Sequence, residues 1–372
     1  MTTRSIADGE MRPVRVGIVG SRGIPNRYGG FERFVELLVE HPSWRGTPFR
    51  FIVYGENPPA EFNSVTTTRQ VGVLKSKSPL GYCGRATQMA VRECDVILAL
   101  GVGISFFSIL PRLLRKPLII NPDGVEWRRS KWSVLGRFAL RALYYPALFF
   151  ADRIVIDAEA LRTDFPRLFR HKMTYIAYQA VRAPTVTDGA TALSSLGIDG
   201  PFMLVIARLE PENNIAMIVD GYLRAAPDQP LIVVGATTTQ YFRDRLEPKR
   251  ARNVQFVGAI YDQSVLNVLR ARCSVYIHGH SVGGTNPSLL EALVCVQGRL
   301  LCHDNKYNRE VARERAQYFR DAEQLSRSLA ATPADIPDAA APAAIFDDER
   351  FQPSHIADGY REVLSELAPA PR

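Results

Sequence analysis

The chain has 372 residues, 46% of them apolar and 23% charged, with a formal net charge of +8 and a pI near 9.3. That is ordinary globular composition, long enough for two domains. No run approaches the roughly 18–20 uninterrupted apolar residues of a membrane span, and the five cysteines form no CxxC pair, so neither a disulfide framework nor a zinc site is indicated.

A reducing cytoplasm is the simplest setting for that cysteine usage. Residues 1–11 lack the apolar core of a signal peptide and read as a disordered leader. "VRVGIVG" then reads as a buried strand. "GSRGIPNRYGGFERFVELLVE" follows, with Gly20, Gly23, Gly29 and Gly30 ahead of a helix that begins near Phe31. In that helix Phe31, Phe34, Val35, Leu37 and Leu38 have helical spacing. A Gly-Gly pair at a helix start lets backbone N–H groups approach an anion with no Cβ in the way. The anion could belong to a dinucleotide, a nucleoside triphosphate or an activated sugar. The loop does not match GxxxxGK[ST], and Gly17-x-x-Gly20-x-x-Gly23 has the wrong spacing for GxGxxG. The loop is also too long for a tight dinucleotide turn, and Glu56 lies beyond the offset of about 20 residues expected of a ribose-binding acid. A dinucleotide is therefore disfavoured, while a purely structural glycine loop stays open.

"FRFIVYG", "DVILALG", "PLIINPDG" and "RIVIDA" read as further strands, with helices "SFFSILPRLLR" and "LGRFALRALYYPALFFA" among them. Continuous apolar strands alternating with helices indicate a parallel sheet covered on both faces. Arg112, Arg115, Lys116, Arg128, Arg129, Lys131, Arg137 and Arg141 crowd this part of the chain, interleaved with Trp127, Trp132, Phe138, Tyr144 and Tyr145. Such a face attracts polyanions: nucleic acid, anionic lipid or diphosphates. A solvated basic surface and an anionic membrane surface both remain open.

A stretch rich in Ala, Thr, Gly and Asp reads as a linker with one short helix, and then the pattern restarts. "PFMLVIARL", "PLIVVGA", "NVQFVGA", "CSVYIHG" and "RLLCHD" are strands. Helices fall near 213–226 and 241–246 and in "DQSVLNVLRAR" and "SLLEALVC". Residues 331–344 are low-complexity loop, 355–367 form one amphipathic helix, and "APAPR" is a disordered tail. The fold class is α/β, with two doubly wound parallel-sheet units. The first spans 12–182, a linker 183–200, the second 201–350, and a final helix 353–367.

Open parallel sheets bind ligands outside the C-terminal ends of their strands, so two facing sheets would wall one cleft. Besides the glycine loop, three stretches follow strands. In "NPDGVEWRRSKW", Asp123 sits beside Gly124, with Glu126 and Trp127 next; a carboxylate facing the cleft and an Asx turn are both open. In "ARLEPENN", Arg208 ends a strand ahead of Asn213 and Asn214, which suits a diphosphate. It equally suits an Arg208 paired with Glu210 or Glu212, and a capping Asn214. In "YIHGHSVGGTNPSLLEAL", His278-Gly279-His280 ends a strand, Gly283-Gly284 turns, and Thr285, Asn286 and Ser288 offer donors at a helix start with Glu291 one turn in. That arrangement makes an anion site followed by a carboxylate able to take two ribose hydroxyls. The bland alternative is a capped helix with a solvated glutamate. HxH with no partner acids is a weak metal signal.

In "GSRGIPNRYGGFE", "NPDGVEWRRSKW", "RLEPENN", "GHSVGGTNPSLLEAL" and "DNKYNREV" the sequence resembles the retaining nucleotide-sugar glycosyltransferases of family 4, with the two-Rossmann GT-B architecture. More narrowly, it resembles the branch that includes bacterial rhamnosyltransferases. The resemblance implies that Gly29 and Gly30 lie near the donor diphosphate and the acceptor. It implies an arginine clamp at Arg208, with Asn213 where the family has a lysine. Of the family's two glutamates eight positions apart, Glu291 matches the second, which holds the ribose, and the first falls on Gly283. His280, Ser281 or the amides at Thr285 and Asn286 are candidates to substitute for it. Asp123 takes the place of a histidine that faces the reacting sugar in related enzymes, and Asp123 or Glu126 would orient the acceptor or support the cationic sugar. Tyr28, Glu32, Trp127 and Arg128 would face the acceptor.

The resemblance further implies a sugar leaving a nucleoside diphosphate with retention, L-rhamnose from dTDP-rhamnose, for a saccharide or polyprenyl-diphosphate-linked acceptor of cell-surface polysaccharide. No metal, other cofactor or nucleic acid is implied. The protein would be cytoplasmic, with a peripheral contact to the inner face of the membrane. The last helix would cross back onto the first domain. Other readings are a UDP- or GDP-sugar donor, an NAD-linked oxidoreductase or epimerase, and an inactive nucleotide-sugar binding protein. The oxidoreductase is opposed by the long glycine loop and the absence of a placed Tyr-x-x-x-Lys pair. The inactive protein is suggested by the departures at Asn213 and Gly283.

Overall fold

A computed structural model describes residues 12–25, 30–56, 61–72, 79–122, 124–128, 133–181, 189–331 and 342–369. The leader at 1–11, most of the low-complexity stretch and the last three residues of the tail lie outside these.

The first sheet contains β1 (Val14–Val19), β2 (Phe49–Gly55), β3 (Glu61–Asn63), β4 (Thr66–Gln70), β5 (Val96–Leu100), β6 (Leu118–Asn121), β7 (Arg153–Ile156) and β8 (Met173–Tyr175). Its order is β3-β4-β2-β1-β5-β6-β7-β8, parallel except for the β3–β4 pair. The second sheet contains β9 (Met203–Ile206), β10 (Leu231–Val234), β11 (Val254–Gly258), β12 (Val275–His278), β13 (Arg299–His303) and β14 (Gln317–Phe319), in the order β11-β10-β9-β12-β13-β14. All its pairings are parallel. In each sheet the order reverses beside the first strand, which opens a crevice at the strands' C-terminal ends.

The central strands are apolar runs because helices cover both faces: every residue of β5 and β10 is buried. The sequence pattern did not anticipate β3, β4, β8 or β14. Each lies at a sheet edge or next to one and is partly solvent-facing, so none has a continuous apolar run. Helices Pro79–Glu93 and Ala322–Ala330 were likewise unanticipated. Helix starts follow side-chain caps. Asp262 accepts from the Ser264 and Val265 N–H groups, Asn305 from Tyr307 and Asn308, and Asp321 from Gln324.

The linker stretch holds the helix Gly189–Ser195. The chain returns near 351, where the Ala180 N–H donates to the Phe351 carbonyl at 2.9 Å. The last helix, Pro353–Leu367, then lies on the first half. Tyr360 packs 5.6 Å from Phe34 of the helix Gly30–Glu40, and Arg153 pairs with Glu366 at 2.8 Å. No helix among the described residues is long and apolar enough to cross a membrane.

Candidate functional site

The two halves meet where the strand ends face one another, and glycine makes the contact possible. Gly283 has φ +123°, a conformation that side chains rarely adopt, and the loop after β6 packs onto it. A Cβ on Gly124 would lie 2.9 Å from the Gly283 Cα. A Cβ on Gly284 would fall 1.8 Å from Asp157 Oδ1, inside the carboxylate just after β7. Thr285 donates its hydroxyl to the Asp157 carbonyl, so the same turn is bonded across the cleft. A glutamate at 283 would need a strained backbone, because φ there is positive.

Six of the sequence-derived residues, Thr285 among them, lie on the second half's wall. Arg208 follows β9 with its side chain 63% exposed; its nearest ion-pair partner, Glu210, is 3.9 Å away. Asn213 is buried, and both ends of its amide are engaged within the protein. Nδ2 donates to the Arg208 carbonyl at 2.7 Å, and Oδ1 meets His280 Nδ1 at 2.8 Å. It therefore does not extend toward the cleft as the family's lysine would; it fixes the His280 ring. A Cβ on Gly283 would lie 3.4 Å from His280 Nε2, so that ring borders the place the missing glutamate vacates. Asn286 caps the helix Pro287–Cys295, accepting from the Ser288 N–H at 2.9 Å.

Glu291 sits one turn into that helix. Arg270, 1% exposed, donates to its Oε2 and also to Asn267 Oδ1 at 3.3 Å. Glu291 remains partly open and lines a narrow space of about 70 Å³ together with Gly30, Phe34, Tyr178, Asn267 and Pro287. Pro287 Cγ is 3.7 Å from where a Cβ on Gly30 would sit, so the helix start of one half touches that of the other.

On the first half's wall, Tyr28, Gly29 and Asp123 lie outside the described residues. Glu126 begins the short turn Glu126–Arg128; its side chain is not described. Three acceptor-side expectations meet a different arrangement. Glu32 is buried and accepts the Arg22 N–H at 2.7 Å, which ties the glycine loop to its helix. Trp127 packs edge-on against Tyr144 at 4.4 Å and Phe165 at 5.9 Å, because an indole gains more from that aromatic cluster than from water. Arg128 pairs with the buried Asp164 at 2.6 Å.

Asp164 leads to residues that sequence reasoning missed. It also receives Lys306 at 2.7 Å and the Tyr307 hydroxyl at 2.6 Å, both from the second half. Glu310 accepts the Glu159 and Ala160 N–H groups, each at 2.8 Å. Asn305 and Asn308 donate to the His280 carbonyl at 3.0 and 2.9 Å. The motif "DNKYNREV" is thus a seam that joins the halves and supports His280. Arg270 was missed as well, although Leu266, Arg270 and Cys273 share one helix face at i, i+4 and i+7, and a lone cation on a buried face was the available signal. Burial holds His278 down to about 3, and it lowers His303 too. Among the described residues no group of three His, Cys, Asp or Glu side chains could hold a metal ion.

Residues 13–59 match a family model described as "Domain of unknown function (DUF1972)". A relative from Campylobacter jejuni subsp. jejuni serotype O:2 is an N-acetylgalactosamine-N,N'-diacetylbacillosaminyl-diphospho-undecaprenol 4-alpha-N-acetylgalactosaminyltransferase. It is 23% identical over 214 residues, 54% of this chain, and the match spans 55% of the relative's own length. Among solved structures, Anabaena Alr3699/HepE in complex with UDP and glucose superposes with a TM-score of 0.73 at 17% identity, covering 95% of this chain and 100% of that one. A UDP-forming alpha,alpha-trehalose-phosphate synthase from Burkholderia xenovorans gives 0.71 at 12% identity, over 95% and 99%. At these identities the likeness is one of fold. It matches the two parallel sheets facing a cleft to the GT-B architecture that the motifs resemble.

Proposed function

From a GT-B chain with this cleft we infer a retaining glycosyltransferase that moves a sugar from a nucleoside diphosphate to a saccharide or polyprenyl-diphosphate-linked acceptor. One observation carries the reading. An open guanidinium at the end of β9 and a glutamate held by a buried arginine stand on the same wall of the crevice, the pair a diphosphate and a ribose require. The Campylobacter relative's lipid-linked substrate supports the acceptor class, and the UDP bound to the Anabaena protein supports the donor class. The same reading has the enzyme work at a membrane surface that carries its acceptor.

Breaking the anomeric bond leaves negative charge on the β-phosphate and positive charge on the sugar. Arg208 and the N–H groups at the start of the helix Pro287–Cys295 would stabilise the leaving diphosphate. In front-face attack that phosphate takes the acceptor hydroxyl's proton, so no protein base is needed. Glu291 would hold the ribose hydroxyls, and His280, whose Nδ1–H is taken by Asn213 Oδ1, would accept a sugar hydroxyl at Nε2 where the family uses a glutamate. Asp123 or Glu126 would serve the acceptor or the cationic sugar. The resemblance to the rhamnosyltransferase branch suggests dTDP-rhamnose as donor, and the UDP bound to the Anabaena protein suggests a UDP-sugar.

A panel of dTDP, UDP, GDP and NAD, with the corresponding sugars, separates these donors. A ligand at about a hundred times its Kd should add roughly 2.7 kcal/mol to stability, several degrees in Tm at most. One nucleoside diphosphate should shift Tm, and the shift should vanish in Arg208→Ala and Glu291→Ala. A shift with NAD alone would overturn the reading. The engaged amide of Asn213 favours one rival, a binding protein without turnover. Nucleotide binding with no sugar transferred to any lipid-diphosphate acceptor would select it.

A further inference from the structure

A second recess opens at the other end of the first sheet, where the strands begin. Its volume is about 410 Å³, within the range of about 300–1,000 Å³ that holds small molecules. Arg12 stands just before β1, Asp95 just before β5, and Arg115, Lys116 and Pro117 just before β6. β1 is six residues long, so at ~3.3 Å per residue roughly 20 Å separates this recess from the cleft at the strands' other ends.

One side of the recess is cationic and the other apolar. Arg12, Arg115 and Lys116 line it, and Asp95 is the one acid among the described residues that do. Val14, Leu114, Pro117 and Leu367 supply the apolar wall. Asp95 does not use up the cations. Its Oδ1 is 3.8 Å from Arg12 Nη2 and 4.0 Å from Lys116 Nζ, both beyond hydrogen-bond reach. Arg15 Nε stands 3.9 Å from Oδ2, an oxygen already taken by the Arg15 N–H at 2.9 Å. Arg115 makes no ion pair among the described residues. Neighbouring acids are committed elsewhere: Asp152 accepts the Leu118 N–H at 2.9 Å, and Glu366 pairs with Arg153 at 2.8 Å. Four cations thus surround one carboxylate, and a second anion would relieve their mutual repulsion.

The backbone points the same way. After the helix Ile109–Leu113 the chain closes in a Schellman turn. The Arg115 N–H donates to the Arg112 carbonyl at 3.2 Å, and the Lys116 N–H to the Pro111 carbonyl at 2.8 Å. Such a turn needs one residue in the left-handed region, and glycine usually supplies it. Here that residue is Arg115, at φ +52°. Glycine would close the turn with less strain, so the turn itself does not call for an arginine.

We propose that this recess binds a small phosphorylated organic molecule, its phosphate held by Arg12, Arg115 and Lys116 and its apolar body lying against Val14, Leu114 and Leu367. A guanidinium offers a phosphate a fork of donors. The site stands apart from the donor cleft and does not depend on the transferase reading. Leu367 belongs to the last helix, whose Tyr360 packs on Phe34, and Phe34 lines the space beside Glu291. An occupant would therefore touch the element that spans both sites.

Isothermal titration of the full chain with phenyl phosphate and with inorganic phosphate tests it. Phenyl phosphate should bind, about tenfold more tightly than inorganic phosphate, because the ring buries apolar surface. Arg115→Gly with Lys116→Gln should weaken phenyl phosphate by about tenfold or more. Glycine suits the positive φ, so the Tm of that variant should not fall. Arg12→Gln, on a mostly open side chain, leaves the turn alone and should weaken binding severalfold. Arg208→Ala, in the cleft, should leave the affinity as it is. No binding of phenyl phosphate would overturn the proposal. So would equal affinity for the two phosphates, since the apolar wall would then play no part. Affinity lost in Arg208→Ala but kept in the Arg115–Lys116 and Arg12 variants would also overturn it, by moving the ligand to the cleft.

Discussion

The two walls of the cleft are built differently. On the second half's wall the polar side chains other than the open Arg208 are held: Arg270 with Glu291, Asn213 with His280, Thr285 with the Asp157 carbonyl. On the first half's wall the described contacts are glycine backbone at Gly30 and Gly124, while Glu32, Trp127 and Arg128 turn inward or sideways. Ligand chemistry is therefore preorganised on one side, where reorientation would cost binding energy, and the other side supplies shape and closure.

Removing one member of a held pair should break that contrast most strongly. Arg270→Met leaves Glu291 without its cation, and stability should fall by about 3 kcal/mol, toward the low end for a buried pair because Glu291 is partly solvated. Urea denaturation measures the loss, and nucleotide binding should disappear with it. If binding survives, Glu291 does not need Arg270 to be oriented. The closing wall is probed by Gly284→Ala, whose methyl would enter the Asp157 carboxylate. Turnover should drop roughly a hundredfold, from misplacement of the halves by about an ångström, while nucleotide affinity changes little. An equal loss of affinity would mean that the ligand depends on both walls, which removes the distinction.

A third effect follows from pH. His278 stays neutral in the folded chain down to about 3, against an ordinary value of 6.5. A lowered value means that its contribution is complete above pH 6.5 and drains away as pH falls toward 3. At one pH unit below 6.5 the loss should reach about 1.4 kcal/mol, and His303 adds in the same sense. Denaturation curves between about pH 7 and about pH 5 should show a decline that His278→Met flattens. The smallest effect belongs to the seam. Asp164→Asn weakens the contacts with Arg128 and Lys306, and about 1 kcal/mol should be lost. The partners are half exposed, so this loss should shrink in high salt, unlike that in Arg270→Met.

Much of the architecture was legible in the chain itself. Apolar runs such as "VILAL" and "LIVV" are buried on both faces of their sheets and could be read as parallel strands without any coordinates. The turn His280–Asn286 and Glu291 were legible for the same local reason: donors, glycines and a carboxylate follow a strand within one helical turn. What failed was direction and distance. Trp127 and Arg128 look like ligand residues in a row of basic and aromatic letters, but Phe165 and Asp164, some 35 positions later and visible only once β7 lies beside β6, draw them away.

Composition and spacing thus determined the two parallel-sheet units, the glycines at their strand ends and the second half's polar cluster, because those depend on neighbours within a few residues. Tertiary structure alone decided which polar groups hold one another. Arg270 reaches Glu291 across 21 positions, Asn213 reaches His280 across 67, and Tyr307 reaches Asp164 across 143. Hydrogen bonds and ion pairs need atoms within a few ångströms, and no local pattern encodes an approach that only the folded chain completes.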